Sequence, residues 1–159
     1  DNQSMVFDGI MATTPTWKDI EFIRKNTNLP LILKGITHPS YAKKAIEFGV
    51  DGIVVSNHGG RVLDTLVTTM DILPKIVEVV DNKIPILLDG GITRGTDILK
   101  ALALGASAVM IGKPIMYGLA TAGALGVAHS LKILKDELEI SMALTGCKTL
   151  KDINKDILF

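Results

Sequence analysis

A parallel α/β fold is what this sequence predicts, and three observations carry the prediction. Short apolar runs alternate with longer segments of helical periodicity, with no hairpin signal between them. The runs are continuously apolar rather than alternating, the pattern of strands buried on both faces of a parallel sheet. Each run gives way at its C-terminal end to glycine and polar residues, where parallel α/β folds gather ligand-binding groups.

Taken in order, residues 1–15 read as polar and turn-rich, and the domain proper starts at Thr16. Thr16 is placed to cap a helix running to residue 28, with Trp17, Ile20 and Ile23 on one face. Leu31–Gly35 is the first strand and Pro39–Phe48 its helix, with Pro39 at the first helical position behind a capping or surface His38. Gly52–Ser56 and Val67–Val80 form the second unit, Ile86–Asp89 and Gly95–Leu104 the third. The fourth is Ala108–Gly112 and a helical tail over 117–144, glycine- and alanine-rich at first, then amphipathic through Leu131, Leu134, Leu138 and Met142. A short helix follows near Leu150–Ile153. Gly49 and Gly105 suit helix ends, and Pro30 and Pro85 sit just ahead of strands. Four such units make either an open sheet or half of a (β/α)₈ barrel. Functional residues at strand ends and glycine turns after the last two strands favour the half-barrel.

The 159 residues are 47% hydrophobic, enough for one core, and 17 basic residues balance 17 acidic ones. That balance argues against a nucleic-acid partner, whose binding draws on excess positive charge. No apolar run reaches the roughly 18–20 residues of a membrane span. The single Cys147 has no disulfide partner in the chain and reads as packing, as do mid-helix His129 and the methionines. Three scattered histidines form no metal site. The charged runs Lys43–Lys44 and 132–139 read as solvated helix faces.

The chemistry concentrates in Gly52-Ile-Val-Val-Ser-Asn-His-Gly-Gly-Arg61, where a strand runs into a histidine and an arginine separated by two glycines. His58 suits a general base near neutral pH, and the planar fork of Arg61 suits a carboxylate. Leu31-Ile-Leu-Lys-Gly-Ile36 ends a strand in Lys34, whose ammonium needs an anion or electron-rich ligand; an ion pair with Asp89 is the plain alternative. The turns Asp89-Gly-Gly-Ile-Thr-Arg-Gly-Thr96 and Ile111-Gly-Lys-Pro114 each open toward a helix N-terminus, where free N–H groups favour phosphate.

With Lys34 in ILKGI, SNHGGR at 56–61 followed by Leu63-Asp64, DGGITRGTDILKALALGA, IGKP and the tail motif Met142-Ala-Leu-Thr-Gly-Cys147, the chain closely resembles the FMN-dependent 2-hydroxy acid oxidase and dehydrogenase family. Glycolate oxidase, lactate oxidase and the flavin domain of flavocytochrome b2 belong to that family. The resemblance implies strands 5 to 8 of a (β/α)₈ barrel over residues 16–159, with 1–15 a remnant of the loop after strand 4. It implies FMN as cofactor and oxidation of a small lactate- or glycolate-like 2-hydroxy acid to the 2-oxo acid. His58 would take the hydroxyl proton, Arg61 would bind the carboxylate, and Lys34 would sit by the N1–O2 edge of the isoalloxazine. Ser56 and Asp89 would contact the cofactor, Asp89 at the ribityl chain, and Gly91, Gly112 and Lys113 would hold the phosphate. Thr93 and Lys113 stand where the family usually has arginine, which implies a weaker or rearranged phosphate grip, with neighbouring Arg94 as the compensating charge.

Strands 1 to 4 of such a barrel, with the tyrosine and the histidine-orienting aspartate they carry, have no counterpart in these 159 residues. The resemblance therefore implies a partner: the N-terminal half, on the same polypeptide or as a nicked fragment, within a homo-oligomer that in relatives is often a tetramer. A cytoplasmic location is the expectation, as the chain end is not a Ser-Lys-Leu-type address. The competing reading is a flavin- or phosphate-binding half-barrel without catalysis.

Overall fold

The computed structural model of the chain describes residues 4–158. Strands β1 (Ile32–Ile36), β2 (Gly52–Val55), β3 (Ile86–Leu88) and β4 (Ala108–Val109) pair in parallel and in chain order. Helices α2 (Pro39–Glu47), α3 (Thr69–Val80) and α4 (Gly95–Ala103) connect them, between a leading α1 (Trp17–Asn26) and a trailing α5 (Lys113–Leu144). Strand order never reverses, as it would in a doubly wound sheet, so the four units form a stretch of barrel wall.

Pairing register divides the strands into two faces. Ile53, Val55, Ile86 and Leu88 are buried with Ala42, Ala45, Leu73, Ile76, Val80 and Ala101 in the helix-side core. The other face carries the row Lys34, Val54, Leu87 and Ala108. Val54 on that face is buried but lies outside the helix-side cluster. Burial on both faces, expected from the apolar runs, therefore holds for β2 alone. Edge strand β1 alternates, with Ile32 48% exposed, because no described element covers its second face.

Local signals work as the residues dictate. At the start of α1 the Asp19 carboxylate accepts from both the N–H and the hydroxyl of Thr16, at 2.6 and 2.7 Å. The His38 Nδ1 accepts from the Ser40 N–H, with Pro39 at the first position of α2. Trp17 docks α1 onto α2, its ring 5.2 Å from that of Phe48 and beneath the Lys44 ammonium at 5.0 Å. Gly105 turns the chain after α4 at φ 106, where a Cβ would lie 2.9 Å from both Val77 methyl groups.

Several expectations give way. The segment before Thr16 is helical turns over Met5–Ile10 and Met11–Thr13, and it exposes Met5, Phe7 and Ile10 rather than a polar surface. The tail is not one helix: Ala122 and Gly123 leave helical geometry, and the two arms of α5 cross where Gly118 meets Gly126. Along the second arm Leu134 is buried while Leu131 stays exposed. His129 is exposed, not packed. Met70 and Met142 pack, partly buried, against core clusters as expected, whereas Met110 and Met116 line a cavity. Cys147 is buried, as expected, beside Leu99, Ala103 and Ile153. Among the described residues no helix is long and apolar enough to cross a membrane.

Candidate active site

The C-terminal ends of all four strands open on one cleft of about 640 Å³. Lys34, His58, Arg61 and Asp89 line it, and so do Gly91, Thr93, Gly112 and Lys113. Of the ten residues singled out from the sequence, these eight share the cleft, while Ser56 and Arg94 do not border it.

Backbone irregularity aims Lys34. Its partner on β2 is Val54 and that of Ile36 is Val55, so Gly35 is the extra residue of a bulge, at φ 97. The ammonium meets Asp89 Oδ2 at 2.7 Å and donates to Ser56 Oγ at 2.8 Å. The plain ion pair with Asp89 is thus present, and an ammonium has three donors, so the contact leaves room for a ligand. Asp89 Oδ1 is buried with no hydrogen-bond partner among the described residues, a costly condition for a carboxylate oxygen beside a cleft. Ser56 is 1% exposed and lies beneath the cleft floor, where its Oγ also accepts from the His58 N–H at 3.1 Å.

The loop after β2 is a sequence of left-handed residues: His58 at φ 55, Gly59 at 67 and Gly60 at 73. Asn57 starts it, its Oδ1 accepting from Gly59 N at 3.0 Å. Here the sequence reading passed over two residues inside motifs it had already recognised. One is Asn57, which the Gly90 backbone approaches so closely that a Cβ there would stand 2.7 Å from Oδ1. The other is Gly35, where a Cβ would stand 2.9 Å from Cε1 of the His58 ring. Buried Thr69, which donates to the Gly90 carbonyl at 3.0 Å, carried no sequence signal at all. Arg61 is exposed at the rim and joins no ion pair among the described residues.

The anion end differs from expectation. Three N–H groups at the opening of α4 are already used: Thr93 and Arg94 donate to Asp97 at 2.9 Å each, and Gly95 to Glu137 at 2.8 Å. Arg94 turns to the same Glu137, with contacts of 2.9 and 3.1 Å, which is why it does not reach the cleft as a compensating charge. Glu137 is therefore no part of a solvated face. The Gly95 N–H, then the Arg94 side chain, hold its carboxyl below the usual glutamate range. Open backbone remains at Gly91 and Gly112, where an added Cβ would meet nothing within 4 Å.

Four consecutive parallel βα units with polar groups converging at one strand end define a ligand-binding sector of a (β/α) barrel. The chain belongs to the FMN-dependent dehydrogenase family, whose model it matches over residues 1–159. FMN is the cofactor of that family. The chain is 56% identical over 141 residues to a peroxisomal (S)-2-hydroxyacid oxidase of Arabidopsis thaliana, covering 89% of this chain and 39% of the relative. It is 52% identical to an L-lactate oxidase of Nostoc sp., covering 90% of this chain and 39% of the relative. Mandelate oxidase solved with (S)-2-phenylpropionate superposes with a TM-score of 0.85 at 45% identity, over 89% of this chain and 42% of that one. The chain thus spans about two-fifths of the length of the curated relatives it matches.

Proposed function

We propose that this chain is the catalytic C-terminal half of an FMN-dependent enzyme that oxidises a small 2-hydroxy acid to the 2-oxo acid. The observation that carries the reading is the convergence of imidazole, guanidinium and a paired ammonium on one cleft whose far edge is bare glycine backbone. The cleft suits the family's cofactor. The unpartnered Asp89 Oδ1 fits a hydroxyl donor such as a ribityl chain offers, and the open backbone of Gly91 and Gly112, with the Lys113 cation beside it, fits a phosphate.

In this reading FMN, when bound, would supply the acceptor for the α-hydrogen and its two electrons. The residues do the rest. His58 accepts the hydroxyl proton as the carbonyl forms, and its strained backbone holds it at the cleft wall over Gly35. Arg61, in no ion pair among the described residues, grips the carboxylate through its fork. Lys34, fastened by Ser56 and Asp89, supplies a fixed positive charge for the negative charge that develops in the reaction. Thr93 lines the phosphate end, but its hydroxyl donates to Asp97 Oδ2 at 3.2 Å, so it brings no charge there. The open edges of β1 and β4 and the uncovered second face support the other half of the barrel as the immediate partner.

Anaerobic mixing of the full-length flavoprotein with (S)-lactate or glycolate tests the proposal by flavin bleaching. We expect bleaching, and a reduction rate cut by about 10²–10⁴ in His58→Gln with little change in substrate affinity. Bound flavin that no 2-hydroxy acid bleaches would leave the non-catalytic binding module.

A further inference from the structure

Lys113 touches both ends of the cleft. It follows Gly112 at the start of α5, and its ammonium reaches across to the loop after β2, donating to the Gly59 carbonyl at 3.1 Å. Its Cε would lie only 3.6 Å from a Cβ on Gly59, so the side chain lies along the loop backbone. We propose that Lys113 is a positioning residue that couples occupancy of the phosphate end to the order of the loop carrying His58 and Arg61. The proposal rests on the flavin reading above.

Two features make the coupling physical. Three successive residues of the loop hold positive φ, two of them glycine, a conformation that persists only when its surroundings hold it. The start of the loop is secured by Ser56 and Asn57, but among the described residues Lys113 is the one donor to the Gly59 carbonyl. The ammonium has three donors, uses one here, and pairs with no carboxylate among the described residues. An anion against the open backbone of Gly91 and Gly112 engages the remaining donors and fixes the side chain in the orientation that ties down Gly59. An arginine fork would be committed to the phosphate through paired bonds, whereas lysine, a point charge with rotatable donors, serves both ends.

Hydrogen–deuterium exchange across residues 57–61 of the full-length protein tests this, with FMN compared with riboflavin, which has the same ring and ribityl chain without the phosphate. We expect FMN to slow exchange there beyond riboflavin by about fivefold, the effect of about one hydrogen bond. The difference should vanish in Lys113→Met, and in Lys113→Arg as well, where the fork stays on the phosphate and leaves Gly59. A lysine that merely braces the loop would change exchange equally in both flavin states. Equal protection of the wild type by the two flavins, or a difference that survives Lys113→Met, overturns the coupling. Should Lys113→Met fail to fold, Lys113→Gln takes its place with the same expectation, a difference that disappears. If neither flavin binds, the flavin reading itself falls, and the coupling with it.

Discussion

Gly35 illustrates how much of the site depends on a missing atom. At φ 97 it occupies backbone that a side chain rarely adopts, and the space its Cβ would fill belongs to the His58 ring, 2.9 Å away. Gly35→Ala is therefore expected to act twice. Backbone strain should lower stability by about 1–2 kcal/mol in chemical denaturation. Displacement of the imidazole should slow flavin reduction by at least about tenfold while flavin affinity, read by fluorescence titration, stays within about twofold. An unchanged reduction rate would mean that contact with β1 does not position His58. The identities of Lys34, His58, Arg61 and Asp89 were legible because each ends an apolar run or flanks a glycine. The role of Gly35 was not, because the ring that needs the space belongs to the loop after the next strand.

Among the elements, α4 and α5 meet at close range. A Cβ on Gly95 would stand 2.2 Å from the Leu138 backbone N, and Glu137 binds both the Gly95 N–H and Arg94 there. This pairing joins residues more than forty positions apart, and nothing in the local charge run of α5 distinguishes Glu137 from its solvated neighbours. Because folding lowers the pKa of Glu137, its ionised form stabilises the fold. That contribution is present in full above the unfolded glutamate value of about 4.3 and is lost as pH falls through the lower folded value. The gap in melting temperature between wild type and Glu137→Gln should accordingly be largest near neutrality and shrink below about pH 4. A gap independent of pH would assign the stability of the junction to packing alone. The kink at Ala122–Gly123 was equally hidden, since the glycine and alanine run that permits it also permits a straight helix.

For the whole molecule, the decisive feature is a sheet covered on one face only. The strands β1 and β4 end it without described neighbours, and Ile32 and Met110 stand exposed on the uncovered side. Unpaired edges and an apolar face favour association with whatever completes them. The 159-residue chain expressed alone is expected to self-associate, and co-expression with the N-terminal half should yield a defined complex by size-exclusion chromatography with light scattering. A monodisperse monomer of the isolated chain would contradict the half-barrel interpretation of that face.

Sequence alone determined the four parallel units, the end of the sheet where polar groups collect, and the residue types available there. These depend on periodicity, glycine and proline, which act within a few residues. Only the tertiary structure decided which groups meet: that Lys34 pairs with Asp89, that Arg94 is withheld by Glu137, and that Lys113 reaches the His58 loop. The physical reason is that a side chain's partner is set by strand register and helix crossing. Both are fixed by packing between segments far apart in the chain, and neither leaves a mark on the residues nearby.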